Sequence, residues 1–159
     1  MSTERTVLHV DDDQAILDLV AKSLRKRGYS VISISDPTRA IEVLSKSGVR
    51  VAILDIDMPG MDGLTLLREI KQYDTGIKTI MLTGMVSMET VLHATRLGAE
   101  ECVFKPIKDL NSVGDAVERC FQNIDSWWEA LREWMDRNKK ETYVQSLVKK
   151  TRSFISTKS

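Results

Sequence analysis

The chain alternates short apolar runs with stretches of helical periodicity five times over, and this alternation constrains its fold more than any other feature. The apolar runs are rich in β-branched residues or leucine. Several are almost continuously apolar, as expected of parallel strands that are covered on both faces. They lie at residues 6–10, 30–34, 51–55, 78–82 and 102–104. We therefore predict five buried strands.

Helical spacing of apolar residues fills the intervals between these runs. The predicted helices cover residues 14–27, 37–48, 64–73 and 87–97, and a fifth begins near Asp109. Asp36 and Pro37 suit an N-cap and a first helical position, while Gly28 and Gly98 suit the ends of helices. Alternating strands and helices predict an α/β domain with a parallel sheet and right-handed crossovers.

The length of the alternating region selects among α/β folds. Residues 1–122 of the 159 hold all five strand–helix units, and residues 123–159 form a tail. This length suits a doubly wound five-stranded sheet and is too short for a barrel of eight units. Ligands of doubly wound folds bind outside the C-terminal ends of the strands, so we expect the chemistry there.

Composition excludes several classes of function. The chain has 23 basic and 23 acidic residues, so no overall field favours nucleic acid. Cys102 and Cys120 are too few for a disulfide framework and lack the spacing of metal ligands. The N-terminus has no apolar signal core, and no apolar run approaches the length of a membrane span. We expect a soluble cytoplasmic protein that binds neither nucleic acid nor membrane.

Polar residues follow four of the predicted strands where each strand ends. In chain order they are Asp11, Asp12, Asp55, Asp57, Thr83 and Lys105. Each of them alone is most simply a turn or capping residue. Together the carboxylates would repel one another, by roughly 4 kcal/mol for a pair about 4 Å apart at an effective dielectric of about 20. A bound cation would relieve this repulsion, and all-oxygen ligands suit Mg²⁺.

These residues resemble the receiver domain of two-component response regulators, over about residues 4–122. The resemblance lies in the Asp11-Asp12 pair, the Asp-x-x-Met-Pro-x-Met-Asp-Gly segment that begins at Asp55, Thr83, and the Lys105-Pro106 pair. It implies a CheY-like, flavodoxin-like (βα)5 fold, a doubly wound five-stranded parallel sheet, here with a C-terminal helical extension.

The resemblance also implies a metal site and a phosphoacceptor. Asp55 would be the nucleophile that becomes an aspartyl phosphate. Asp12 and Asp55 would hold Mg²⁺ through their carboxylates, Asp11 would help through water, and Asp57 would supply its backbone carbonyl.

Two further residues would contact the phosphoryl group. Lys105 would pair with its oxygens, and Thr83 would donate its hydroxyl to them. Such a reaction needs positioning and charge neutralisation more than acid–base chemistry. The phosphoryl donor would be a sensor histidine kinase or a histidine phosphotransfer protein, and a downstream partner protein would read the switch.

Three positions depart from the family pattern. Cys102 stands three residues before Lys105, where receivers commonly carry Tyr or Phe. The output face is therefore expected to respond through backbone movement of the loop after the fourth strand and not through a ring flip. Asp57 and Met85 flank the expected path of the water that hydrolyses the acyl phosphate. Met85 cannot orient that water and Asp57 adds charge, so we predict slow self-dephosphorylation.

Other residues near the predicted site have simpler interpretations. His9 lies inside the first strand, where a packing role is expected, and His93 is expected on the surface of the fourth helix. Gly60 and Gly63 fit a turn rather than a phosphate-binding loop.

The tail is amphipathic. Its formal charge is +3, and it is too short for a winged-helix domain of roughly 60 residues, so DNA binding is not expected. Ser126 and Glu129 fit a capping box that would start a new helix. Apolar residues recur at intervals of three and four along one seam, as in a packed helix: Val117, Phe121, Ile124, Trp128, Leu131 and Met135.

Several roles remain open for this tail. It could fold back on the receiver as an extra helix, dimerise, dock a partner, or link to a further domain. A homodimer could form through the tail, or through the face between the fourth strand and the fifth helix. Trp127, Trp128 and Trp134 are too much aromatic surface to leave in water.

An enzyme is the alternative to a signalling module. The segment Asp55-Ile56-Asp57 also resembles the Asp-x-Asp nucleophile motif of haloacid-dehalogenase phosphatases. That family places the motif after its first strand, whereas here it ends the third. The Asp11-Asp12 pair is also left without a role by the phosphatase interpretation.

Overall fold

Five parallel strands form the single sheet of the computed structural model, which describes residues 4–84, 87–107 and 109–156, with side chains up to residue 149. The strand order is β2-β1-β3-β4-β5. The strands are β1 (Thr6–Val10), β2 (Ser30–Ile34), β3 (Val51–Asp55), β4 (Lys78–Thr83) and β5 (Glu101–Phe104). The predicted parallel sheet is confirmed, and the order places the topological switch point between β1 and β3.

Helices connect the strands as the spacing predicted. They are α1 (Gln14–Lys26), α2 (Ala40–Ser47), α3 (Gly63–Tyr73), α4 (Met88–Arg96) and α5 (Leu110–Ser156). Asp36 and Pro37 begin their element, but its first turn is a 3-10 helix over Pro37–Arg39 that precedes α2. The side chain of Asp36 accepts from the Thr38 backbone N–H at 3.0 Å, which tightens this turn.

Both faces of the sheet are covered. On one face, β-strand residues pack with α2, α3 and α4 in a core cluster that includes Leu8, Leu54, Leu44 and Leu67. The strand residues that point to the other face are also fully buried, and they include Val7, Ile53 and Ile80. The inner sides of α1 and α5 are buried as well, at Leu17, Val20, Leu24, Val113, Ala116 and Val117. The near-continuous apolar character of the strands follows from this double burial.

The start of α3 lies directly against the end of β3. Asp62 is the N-cap, and its Oδ1 accepts from the Thr65 backbone N–H at 2.9 Å. The Gly63 backbone N–H donates to the Ile56 carbonyl at 2.9 Å, which holds the helix N-terminus close to the backbone that follows Asp55. The cap therefore helps to position the strand end at which chemistry was predicted.

Replacing Asp62 with alanine is expected to lower the free energy of unfolding by about 1 kcal/mol, because a backbone N–H of the first turn loses its acceptor. Asp62→Ser is the matched control, since a serine hydroxyl can accept the same hydrogen bond. Urea denaturation measures both. Equal destabilisation by alanine and serine would show that capping is not the cause.

The chain divides into two compact units, which meet between Phe121 and Gln122. Helix α5 runs without interruption through this boundary to Ser156. The prediction that Ser126 starts a new helix is therefore wrong. The Ser126 hydroxyl instead donates to the Gln122 carbonyl at 2.9 Å, one turn earlier in the same helix.

Large apolar side chains of the second unit are exposed. The exposed fractions are 71% for Trp127, 59% for Trp128 and 57% for Trp134. Within the described residues, no helix is both long and apolar enough to cross a membrane.

Candidate functional site

The predicted site residues stand at neighbouring strand ends, at one edge of the sheet. Asp11 directly follows β1, Asp55 is the last residue of β3, Thr83 is the last of β4, and Lys105 directly follows β5. The strand register places these residues at nearly the same height along the sheet. Asp55 pairs with Leu82, the residue before Thr83, and Thr83 pairs with Phe104, the residue before Lys105.

Three carboxylates form a cluster at this edge. Asp11, Asp12 and Asp55 each offer one oxygen, and these atoms lie within 4.8 Å of one another. Asp11 and Asp55 are buried, with 0% and 1% exposure, whereas Asp12 is exposed. The cluster therefore opens to solvent on the Asp12 side.

Lys105 joins two of these carboxylates. Its Nζ lies 2.9 Å from Asp11 Oδ2 and 3.0 Å from Asp55 Oδ1, and its backbone N–H donates to the Thr83 carbonyl at 2.7 Å. Burial alone would lower the pKa of Lys105, but its hydrogen bonds to Asp11 and Asp55 raise it. The lysine is therefore held as a cation between the two acids.

The buried position of Asp55 changes its acidity. Burial and then the charge of Asp11 raise the pKa of Asp55 to about 6, although the hydrogen bond from Lys105 opposes them. The Asp57 backbone N–H lies 3.4 Å from Asp55 Oδ1 and favours the ionised form. One cation is thus too little to return this carboxyl to its ordinary acidity.

The donor set suits Mg²⁺. Among the described residues, one ammonium, that of Lys105, pairs with the two buried carboxylates. The third carboxylate faces solvent, where water can complete a coordination shell. Both oxygens of Asp11 already accept hydrogen bonds, from the Asp13 backbone N–H at 2.9 Å and from Lys105. This leaves Asp12 and Asp55 as the better direct ligands.

Residues at the rim of the cluster vary in exposure. Thr83 is fully buried, and Asp57 is exposed. A methyl group built at Gly84 would lie 3.9 Å from Asp57 Oδ2, so the Asp57 carboxylate sits beside the loop that follows β4. Cys102 is partly buried against the core, and burial raises the pKa of its thiol. Met85 lies outside the described residues.

His9 is buried behind the cluster. It is fully buried, and neither ring nitrogen has a hydrogen-bond partner within the described chain. Burial, and then the charge of Lys105, lower the pKa of His9 to about 3, so the ring is neutral. Its Nε2 lies 3.9 Å from Asp11 Oδ2. His93, by contrast, is exposed on α4, as predicted.

Gly63 is the site residue whose importance the sequence analysis missed. A β-carbon at this position would lie 2.0 Å from the Asp55 carbonyl oxygen and 2.7 Å from Ile56 Cα. Only glycine allows α3 to approach the end of β3 this closely. The available signal was the glycine itself, since a glycine at the start of a helix can permit close packing of that helix against a strand in doubly wound folds.

The family model for the response regulator receiver domain matches residues 7–117. The matched segment contains all five strands except the first residue of β1, together with the three clustered aspartates, Thr83 and Lys105.

Individual relatives agree with this match. Sporulation initiation phosphotransferase F of Bacillus subtilis is 29% identical over 113 residues, which cover 71% of this chain and 90% of that protein. Regulator of RpoS of Escherichia coli is 30% identical over 136 residues, 82% of this chain but 40% of that protein. The chain thus spans less than half the length of several curated relatives, and nearly the whole length of the relative from Bacillus subtilis.

Solved structures show the same fold. The receiver domain of NtrX from Brucella abortus superposes with a TM-score of 0.69 at 32% identity, covering 73% of this chain and 98% of that one. A chemotaxis protein of Vibrio cholerae, CheY4, gives a TM-score of 0.70 at 26% identity, with 74% and 99% covered. This chain belongs to the family of response regulator receiver domains of two-component systems.

Proposed function

We propose that this receiver accepts a phosphoryl group on Asp55, in a Mg²⁺-dependent reaction, and signals by a conformational change. The observation that carries the proposal is the cluster of three carboxylates at the strand ends, two of them joined by Lys105. Asp55 is the cluster member that ends the central strand β3, where it pairs with Leu82 of β4.

Mg²⁺ would be held by the carboxylates of Asp12 and Asp55 and by the Asp57 backbone carbonyl, with Asp11 contributing through water. The bound ion would supply positive charge that neutralises the oxygens of the phosphoryl group. The hydrogen bonding of Asp11 supports its water-mediated role, because both of its carboxylate oxygens already accept hydrogen bonds from the chain.

Two residues of the chain would respond to the phosphoryl group. Lys105 would exchange part of its contact with Asp55 for the phosphoryl oxygens, because the added charge outweighs that of a single carboxylate. Thr83 would donate its hydroxyl to the same oxygens. The Thr83 carbonyl already accepts from the Lys105 backbone N–H, so a movement of either residue is transmitted to the other.

The phosphoryl donor would be a sensor histidine kinase or a histidine phosphotransfer protein. Residues 1–122 would carry this exchange, and a downstream protein would read the result. The relative from Bacillus subtilis bears the name of a phosphotransferase and matches over almost its whole length, which supports a role in phosphoryl exchange.

Acetyl phosphate tests the proposal without a cognate kinase. With Mg²⁺, the intact mass is expected to rise by one phosphoryl group, which acid lability identifies as an acyl phosphate. Borohydride reduction followed by peptide mapping should locate it at Asp55. Labelling that persists in excess EDTA, or that maps to another residue, would contradict the proposal.

Small phosphomonoesters distinguish this receiver from a phosphatase with an Asp-x-Asp nucleophile. Such an enzyme would turn over p-nitrophenyl phosphate many times per active site, whereas the receiver is expected to give almost none. Sustained turnover that depends on Asp55 would favour the enzyme.

The phosphorylated protein is expected to lose its phosphoryl group slowly, over minutes or longer. The exposed Asp57 carboxylate adds negative charge beside the phosphoryl group, and Met85 offers no group that orients the attacking water. Quenched time points resolved by mass spectrometry measure the lifetime. Asp57→Asn should shorten it, and a wild-type lifetime of seconds would contradict the prediction.

Activation is expected to reach the output face through the backbone of residues 84–105, because Cys102 replaces the aromatic ring common at this position. Amide chemical shifts measured with and without beryllofluoride test this path. Shifts should extend from the metal site into β5 (Glu101–Phe104). Shifts confined to residues near Asp11 and Asp55 would contradict it.

A further inference from the structure

The second unit of the chain presents an apolar seam on α5 that is exposed along most of its length, with its first residue, Ile124, partly buried. The seam runs through Ile124, Trp128, Leu131 and Met135, at intervals of four, three and four residues. Trp128, Leu131 and Met135 are exposed, the first by 59%. Such spacing keeps a narrow stripe on one side of a helix, as the core of a two-stranded coiled coil requires.

Tryptophans flank this seam on one side and cations flank it on the other. In heptad terms, Trp128 and Met135 occupy a positions, and Ile124 and Leu131 occupy d positions. Trp127 and Trp134 then occupy both preceding g positions, with 71% and 57% exposure. The e positions after Leu131 and Asn138 hold two cations, Arg132 and Lys139. Neither cation forms an ion pair within the part of the chain described here.

Parallel pairing would match these flanks. In a parallel two-stranded coiled coil, each g residue meets the e residue five positions further along the partner. Trp127 would face Arg132 of a second copy, and Trp134 would face Lys139. A cation over an indole face is a favourable contact, strongest for tryptophan. An antiparallel pair would instead place tryptophan against tryptophan.

These matched flanks favour a second copy of this chain as the occupant of the seam. We propose that the segment 124–139 of α5 forms a parallel homodimer, with Ile124, Trp128, Leu131 and Met135 in its core. Trp127 and Trp134 stack on the cations of the partner. The core is short, because Phe121 is buried in the first unit and the seam turns polar at Asn138 and Thr142. Dimerisation is accordingly concentration-dependent, and it does not rest on phosphorylation of Asp55.

Sedimentation of the full chain from nanomolar to high micromolar concentration tests the proposal. The wild type should pass from monomer to dimer, and Leu131→Lys, which changes an exposed side chain of the monomer, should stay monomeric. A wild type that remains monomeric throughout overturns the proposal. So does a dimer that survives Leu131→Lys, because another face would then hold it.

A matched pair of double variants isolates the flanking contacts. Arg132→Glu with Lys139→Glu should weaken the dimer at least about tenfold, since each copy loses two cation–π contacts. Arg137→Glu with Lys140→Glu makes the same change in charge at positions outside the seam, and should leave dimerisation nearly unchanged. Equal weakening by both pairs would show that general charge, and not stacking on tryptophan, is responsible.

Cross-linking tests the orientation. Asn138 follows the apolar core at the next d position, so in a parallel dimer the two copies of residue 138 face each other. Asn138→Cys should form an intermolecular disulfide under mild oxidation, well above the level of the wild type with Cys102 and Cys120. A dimeric variant that fails to cross-link would exclude the parallel arrangement.

Discussion

Asp55→Asn is expected to reduce phosphorylation by acetyl phosphate to background. The amide has nearly the same shape as the carboxylate, but its oxygen is not a nucleophile at neutral pH, and it is a weaker ligand for Mg²⁺ than a charged oxygen. The amide oxygen can still accept the hydrogen bond that Lys105 makes to Asp55 at 3.0 Å. The substitution therefore removes the reaction and leaves the surrounding contacts in place.

The stability of this variant separates chemistry from folding. Asp55 and Asp11 are like charges buried in one cluster, so removing one of them relieves a repulsion. We expect the free energy of unfolding of Asp55→Asn to equal or exceed that of the wild type. Loss of labelling in a protein of undiminished stability would then be a loss of the phosphoacceptor.

The control is an aspartate outside the cluster. Asp18 is exposed on α1 and accepts a hydrogen bond from the Gln14 side chain at 2.8 Å, which an asparagine could also accept. Asp18→Asn should therefore be phosphorylated at the wild-type rate. Labelling that persists in Asp55→Asn would mean that another residue of the cluster is the acceptor.

The parts of this architecture that the sequence predicts well are those set by local periodicity. The strands are buried on both faces, so their apolar runs are nearly continuous and their ends can be read to within a residue or two. Once five parallel strands are accepted, their C-terminal ends must share one edge. The convergence of Asp11, Asp55, Thr83 and Lys105 then follows without any knowledge of the loops.

Contacts between distant residues were not predictable in the same way. That Lys105 would be shared by Asp11 and Asp55 depends on strand order and register, which no local pattern encodes. The burial of His9 without a hydrogen-bond partner depends equally on its tertiary neighbours.

The wrong prediction at Ser126 has a local cause. A Ser-x-x-Glu pattern marks a helix start only where the preceding residues leave the helix. Residues 115–125, which precede Ser126, contain neither proline nor glycine, so α5 continues, and the hydroxyl bonds to the carbonyl one turn earlier.

Gly63→Ala is expected to lower the free energy of unfolding by about 3 kcal/mol, the upper end of the usual cost of overpacking. The added methyl carbon would lie 2.0 Å from the Asp55 carbonyl oxygen and 2.8 Å from the Asp55 carbonyl carbon. These neighbours are backbone atoms of a central strand, which cannot turn aside as a flexible side chain can. Either α3 or the end of β3 must move.

Gly84→Ala is the matched control, because it adds the same methyl group at the neighbouring strand end. Its nearest contact would be Asp57 Oδ2 at 3.9 Å, an ordinary van der Waals distance. Urea denaturation should therefore show a change within about 0.5 kcal/mol. If Gly63→Ala proved as stable as Gly84→Ala, the close approach of α3 would not be what holds Asp55 in place. If Gly63→Ala is the less stable, any folded fraction should also label more slowly with acetyl phosphate, because the displaced atoms belong to the acceptor residue itself.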